Sequence, residues 1–557
     1  MHTRLGDESA VHGEVTRRHV LQAGLAAGLG FGTMTLLETA LSTRAAAAAP
    51  VYGGHLTILS AAYPEVWDPH LAATIGALAA VGPIYNQVVE FNPLNPKEII
   101  GDLAQSWDVT EGGSVYIFKL HDNVKWWDGT DLTAEDVAFS LQRMIEPEQP
   151  RPRTGLLRPY IQSVEVMDRH TVQVTLHYPS PAFLQFLAVD YMKILPKHRL
   201  EAGVDINVWE NIVGSGPFKI TAARRGNAVT YVRNSTYFKQ GRPYVDGLTI
   251  LAITDAGTAA AAFKVGRLQM TTGFTALGVD DLLKLETELK GKYSLYWQPH
   301  VTDVWYVCAN VEKAPWHDLR LIKALRLATD QEELQKGIAA GYWHIGAPFP
   351  IGSWYGSTRE ELLRLPGYRI PKDQDIADAK ALLKAAGYDP PSKLGKHVLD
   401  VIRLSVGPDT AQLWAAQMRR NLGLEIEVRV RDAPTVIHAF TAGDYDLGLA
   451  GYGYNIDDPD DWNAIYDPGA RNWTRWKHPQ FLEMLEQQSR ETEREKRRAI
   501  LRKMEAFLLT EENPYIQMLW KSWTYLVSDK VRTVAGTFVT PPSLQTVHKN
   551  EHLWLEK

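Results

Sequence analysis

"GSVYIFKLHDNVKWWDGTDLTAEDVAFSLQRM" (113–144) carries the first readable unit of the fold. Alternating apolar and polar residues predict a strand, a turn at "HDN", a second strand and then a helix. The helix start is marked by Thr133 as N-cap with Asp136 at the third helical position, and Val137, Leu141 and Met144 fall on one face. Further on, "SVEVMDRHTVQVTLHY" (163–178) predicts a strand pair that reverses at "DR". Upstream, "GGHLTILS" (53–60) alternates as a strand, and "AAYPEVWDPH" (61–70) follows as a loop containing Pro64 and Pro69.

The second half changes period. "DLRLIKALRLATDQEELQKGI" (318–338) and "DIADAKALLKAAGY" (375–388) are helical, and "LWAAQMRRNLGLEIEVRV" (413–430) passes from helix through Gly423 into a strand. The stretch 478–519 predicts a long helix pair whose charge run forms a solvated face. This alternation implies a mixed α/β chain. At 557 residues it is too long for one core. Hydrophobic residues at 45% and charged residues at 22% are globular values, and 17 Trp is a high count. A net charge of −6 leaves no basic footprint, so no nucleic-acid partner is expected.

The first 49 residues predict a targeting segment. Arg17 and Arg18 precede the apolar run "AGLAAGLGFGTMTLL", then Arg44 and five alanines at 45–49. This is similar to a twin-arginine export signal, although Val20 and Gln22 depart from the usual Phe and Lys. The expectation is export by the twin-arginine translocase, cleavage near Ala47 to Ala49 and a periplasmic protein. The sole cysteine, Cys308, is not at the cleavage site, so no lipid anchor is expected. It lies in the apolar run "VWYVCAN" and is expected to be buried.

Eight segments together resemble the extracellular solute-binding proteins of ABC importers, the family of the dipeptide-, oligopeptide- and nickel-binding proteins. They are 102–109, 116–143, 213–220, 231–250, 261–270, 309–334, 375–388 and 443–462. The resemblance implies a two-lobed α/β clamshell of the type II periplasmic-binding-protein fold, with an extra subdomain inserted in the N-terminal lobe. Lobe I is expected at about 50–298 and 520–557, with the inserted subdomain at about 84–212, and lobe II at about 299–519. It further implies a monomer that captures a peptide-like or oligosaccharide-like small solute, without cofactor or catalysis, and delivers it to the membrane permease. The alternative reading is a secreted glycan-active hydrolase, since Trp-rich clefts and paired carboxylates also serve that chemistry.

Enzyme and metal signatures are incomplete. "VGSGP" has Val213 and Pro217 where a nucleophile elbow needs glycines, and reads as a tight turn between strands. "HKNEH" (548–552) reads as a solvated tail rather than a metal pair. In "GYGYNIDDPDDW" (451–462), neither register of the aspartates meets the calcium-loop pattern, and most are expected to cap turns and helix starts around Pro459. The same stretch offers Tyr452 and Tyr454 at the end of a buried strand, where ligands meet open α/β sheets. Carried over from the resemblance, the other pocket candidates are Tyr63, Trp67, Tyr160, Trp305, Tyr306, Phe349 and Trp354, with Arg158 as a nearby cation. The resemblance further implies that an aspartate at the position of Asn455 takes the free α-ammonium in peptide-binding relatives; here that position is Asn455, and the neighbouring Asp457 substitutes only if the loop register shifts.

Overall fold

The computed structural model describes residues 49–557 apart from 73–74, 150, 299–300, 302, 404–405, 468–470, 544–545 and 547–548. Arg17, Arg18 and His548 therefore lie outside the described residues. Val51–Thr533 and Thr537–Lys557 form one compact unit.

Two sheets organise this unit. The first has seven strands in the order Tyr293–Trp297, Thr524–Ser528, Met270–Thr271, His55–Ser60, Gly247–Ala252, Ala228–Arg233 and Phe218–Arg224. Its central strand, His55–Ser60, runs parallel to both neighbours, with Ile58 opposite Ile250 and Met270. The second has six strands, ordered His344–Ile345, Tyr515–Lys521, Asp303–Ala309, Leu447–Gly453, Lys396–Ile402 and Glu425–Arg431. Asp303–Ala309 is buried along its whole length, which explains its nearly continuous apolar sequence. Trp305 and Tyr306 point to opposite faces and join different cores, as the period of two demands.

Inserted into the first lobe is a four-stranded antiparallel sheet, Ala104–Thr110, Val115–Leu120, Thr171–Leu176 and Ile161–Asp168 in that order. The helix Ala134–Ile145 packs on it through Val137, Leu141 and Met144, and the Asp136 carboxylate accepts the Thr133 N–H at 2.9 Å as the capping box requires. The second strand expected from "KWWDG" is reduced to a single bridge between Lys125 and Asp131. The reason is local: Trp126 turns inward and Asp128 closes a turn by accepting the Thr130 N–H.

The chain crosses from one sheet to the other twice, between Trp297 and Asp303 and again between Lys521 and Thr524. Trp520 and Lys521, expected in the first lobe, extend the second sheet because they pair with Val304 and Asp303. Gly214 and Gly216 serve a close approach, not a turn between strands. A Cβ on either would fall 2.2 Å and 2.5 Å from the carbonyl oxygens of Ile84 and Pro83 respectively. The C-terminal "KNEH" is also not solvated: Lys549, Asn550, Glu551 and His552 are all buried, Lys549 and Glu551 being paired with buried partners of opposite charge. Among the described residues no helix is long and apolar enough to cross a membrane.

Candidate functional site

Strand Leu447–Gly453 ends at the edge of the second lobe and delivers Tyr452, Tyr454 and Asn455 in succession. Tyr454 stacks on Trp520 with centroids 5.4 Å apart, and Tyr452 meets Tyr454 edge-on at 5.2 Å. The loop is then wound around Asp461. Its carboxylate accepts the Tyr452 hydroxyl (3.2 Å), the Asn455 side-chain amide (2.8 Å), and the backbone N–H groups of Asn455 and Ile456. Burial pushes the Asp461 carboxyl up, and these donors oppose the shift.

The neighbouring aspartates form a second buried cluster. Asp458 takes the Arg497 guanidinium through two bonds of 2.8 Å and 2.6 Å, and also accepts the Asp460 N–H at the start of the short helix Pro459–Trp462. Asp460 accepts from Tyr160 (3.2 Å), Ser489 (2.9 Å) and Gln488 (2.5 Å). Burial, with the Asp458 charge beside it, pushes the Asp460 carboxyl up to about 6. Of the expected helix caps, Asp458 performs that role; Asp460 and Asp461 instead hold the loop together.

Tyr160 belongs to the inserted subdomain, so its bond to Asp460 joins that subdomain to the second lobe. It is packed against Phe186 (5.4 Å) and Tyr178 (5.8 Å), and the Arg490 guanidinium of the second lobe lies 4.9 Å over the Tyr178 ring. Two more cations face this site. Arg153 stands 4.5 Å over the Tyr191 ring and donates to its hydroxyl at 3.0 Å, and Arg471 stands 5.3 Å over Tyr452. Arg158 is exposed on the same segment as Arg153.

The remaining candidates separate. Tyr63 and Trp67 meet edge-on at 6.1 Å in the first-lobe loop, which Asn207 fixes by accepting the N–H groups of Trp67 and Asp68. Trp354 is half-buried beneath the Arg494 guanidinium at 5.1 Å. Tyr306 and Phe349 are wholly enclosed, Tyr306 against Tyr515 at 4.8 Å and Phe349 against Tyr355 at 5.8 Å. Trp305 is also core, lying so close over Gly407 and Gly451 that a Cβ on either would come within 3.0 Å of its ring. Asn455 is buried, its Oδ1 receiving no hydrogen bond among the described residues, and Asp457 is half-buried.

Sequence reasoning missed Trp520, Arg153, Arg471 and Arg497. For Arg497 a signal existed: it shares helical spacing with Leu501, Met504 and Leu508, the buried stripe of helix Arg494–Thr510. Among the described residues no group of three metal-ligating side chains is assembled.

Two α/β lobes crossed twice by the chain, with aromatic rings at the strand ends where they meet, define a clamshell solute-binding protein. The chain belongs to the bacterial extracellular solute-binding proteins, family 5, whose middle portion matches residues 98–473. It is 25% identical over 439 residues to the probable deoxycholate-binding periplasmic protein YgiS of Escherichia coli, covering 75% of this chain and 79% of that one. It is 27% identical over 461 residues to the heme-binding protein A of Haemophilus influenzae, covering 78% and 81%. Among solved structures, the E. coli murein tripeptide binding protein MppA superposes with a TM-score of 0.78 at 21% identity, covering 91% of this chain and 99% of that one. The periplasmic binding protein AgaA of A. tumefacien R10, in complex with agropinic acid, gives 0.74 at 22%, covering 90% and 99%. Members of this family bind a small solute and work with the permease components of ABC importers.

Proposed function

We propose that this chain is the periplasmic receptor of an ABC importer, a monomer that closes its lobes on one small solute, catalyses no reaction and presents the solute to the membrane permease. The observation that carries the reading is the Tyr160–Asp460 bond, which ties the inserted subdomain to the second lobe immediately beside Tyr452, Tyr454 and Asn455. A glycosidase needs two carboxylates free to act on the scissile bond. Asp460 and Asp461 are instead committed to structural donors, which favours the receptor reading over the hydrolase. Arg17 and Arg18 support export through the twin-arginine route. Replacing both by Lys is expected to retain the precursor in the cytoplasm, as fractionation followed by immunoblotting would report; undiminished periplasmic protein would contradict it.

The solute class follows from Asn455. Its Oδ1 is a buried acceptor that receives no hydrogen bond among the described residues, and an amide cannot neutralise an α-ammonium as a carboxylate does. The relatives named above for deoxycholate and agropinic acid are precedents for solutes other than unblocked peptides. Peptides with a free N-terminus should therefore bind poorly, and N-blocked or uncharged donors better. Losing one partner of a buried charge pair typically costs about 2–5 kcal/mol, roughly thirty- to several-thousand-fold in affinity. Calorimetric titration of free and N-acetylated di- to pentapeptides against wild type and Asn455→Asp tests this. The substitution is expected to gain affinity for the free peptides only. Micromolar binding of free peptides by the wild type, without gain in the variant, would contradict it.

A further inference from the structure

The C-terminal strap, through its described residues Phe538, Pro541, Ser543, Thr546, Lys549 and Glu551, begins and ends on the first lobe but touches the second in between. Phe538 packs on Tyr296 (5.5 Å) and Tyr525 (5.7 Å), which face each other across the strands Tyr293–Trp297 and Thr524–Ser528. Those strands lead into and out of the two crossings. Gln298, on the first crossing, donates its buried side-chain amide to the Pro541 carbonyl at 2.8 Å. The Ser543 hydroxyl then donates to the Asn455 carbonyl at 2.7 Å. Beyond it the strap returns to the first lobe, where Lys549 bonds Asp102 at 2.8 Å and Glu551 accepts from Lys239 at 3.1 Å. A serine hydroxyl has one proton to donate. Because Ser543 directs it to Asn455, the Thr546 hydroxyl is the donor in the 3.1 Å contact between the two side chains, and it orients Ser543 toward the loop. The peptide group joining Asn455 to Ile456 is therefore held from both lobes: its carbonyl by Ser543, its N–H by Asp461 at 3.1 Å.

We propose that this strap is a third hinge connection beside the two crossings, and that Ser543 is a positioning residue which ties the solute loop 452–461 to the hinge. Rotation of one lobe against the other then turns the Asn455–Ile456 peptide group, and whatever fixes that group biases the hinge in return. The inference rests on the receptor reading and deepens it, since a loop tied to the hinge serves a protein that takes up its solute by closing.

The experiment is native-state hydrogen exchange, followed by mass spectrometry, on the full mature chain stripped of solute. It compares wild type, Ser543→Ala, Thr546→Val, Gln298→Ala and the double variant Ser543→Ala with Gln298→Ala. Exchange of a protected amide tracks how often its segment opens. Loss of the Ser543 bond is expected to speed exchange across 452–461 about three- to tenfold, the worth of one hydrogen bond, while helix Arg494–Thr510 keeps its wild-type rates. Thr546→Val removes a hydroxyl from the same turn but leaves the bond to Asn455, so the loop should stay close to wild type. Gln298→Ala should loosen the loop as well, and the double variant should show less than the product of the two factors, because both ties act through one strap. A loop unchanged by Ser543→Ala, an equal rise across the whole chain, a loop as sensitive to Thr546→Val as to Ser543→Ala, or two factors that simply multiply would overturn the proposal. No solute enters the measurement, so the strap is judged apart from the receptor reading, which the peptide titrations test.

Discussion

At the residue scale, one aspartate shows how the site balances cohesion against charge. Asp460 accepts the Tyr160 hydroxyl, but it sits within reach of Asp458 and shares Arg497 with it, at 3.4 Å from the guanidinium. Its carboxyl is pushed up to about 6, above the value of 3.8 for a free aspartate. A folded-state value above the unfolded one means that the folded state holds its proton more firmly. This group's contribution is thus most favourable below pH 4 and is lost as pH rises through about 6. Asp460→Asn should therefore stabilise the protein at pH 7 relative to wild type, with the difference disappearing by pH 4. Urea melts at several pH values would show this; an asparagine variant less stable at pH 7 than at pH 4, relative to wild type, would contradict it. The sequence displayed these aspartates but not their partners. Asp458's role as a cap was legible from Pro459 next to it, whereas the donors from Tyr160, Ser489 and Arg497 come from far along the chain.

At the element scale, periodicity served well wherever an element has one wet face. The Ala134–Ile145 helix and the Ile161–Asp168/Thr171–Leu176 pair were legible for that reason, and 318–338 was legible as helical but divides into Leu319–Ala328 and Gln331–Ala339, where Asp330 caps the second. One charge-rich segment misled, because pairing overrides the preference of charges for water, whereas the helices Pro479–Arg490 and Arg494–Thr510 keep most of their charges exposed as expected. That segment is the C-terminal one. Lys549 enters a site already holding Glu90 and Asp102, bonding Asp102 at 2.8 Å, and Glu551 accepts from Tyr237 (2.5 Å), Lys239 (3.1 Å) and Arg242 (3.3 Å). Earlier in the same segment, the Ser543 hydroxyl donates to the Asn455 carbonyl at 2.7 Å, so this strap also touches the candidate site. Burial alone would raise the Asp102 carboxyl, but Lys239 and Lys549 hold it well below the usual carboxylate range. With a depressed folded-state value, its contribution is present above about pH 4 and is lost as pH falls through and below that value. Replacing Lys549 by Met leaves buried carboxylates short of a cation. A loss of about 3–5 kcal/mol is expected at neutral pH, shrinking toward pH 4 as protonation relieves the carboxylates. Denaturant melts at pH 7 and pH 4 measure it; an equal loss at both values, or none, would contradict the account.

At the scale of the whole molecule, the two-lobed plan was legible because eight weak motifs lay in register along the chain, none decisive by itself. The aromatic candidates were less legible. Tyr452, Tyr454 and Tyr160 do gather at one place, but Tyr306 and Phe349 are core, since a wide aromatic face serves packing as readily as recognition. What a single sequence hides is which rings come from different lobes, and that decides which can clasp a solute. The proposed action of this molecule is closure on its solute. A solute present at 100 times its dissociation constant adds about 2.7 kcal/mol of stability whether or not the lobes move, so a melting shift does not distinguish closure from static binding. Small-angle X-ray scattering does. Protein stripped of solute and then saturated with it should show a smaller radius of gyration and a shortened maximum dimension; scattering curves that superimpose despite demonstrated saturation would contradict the clamshell account.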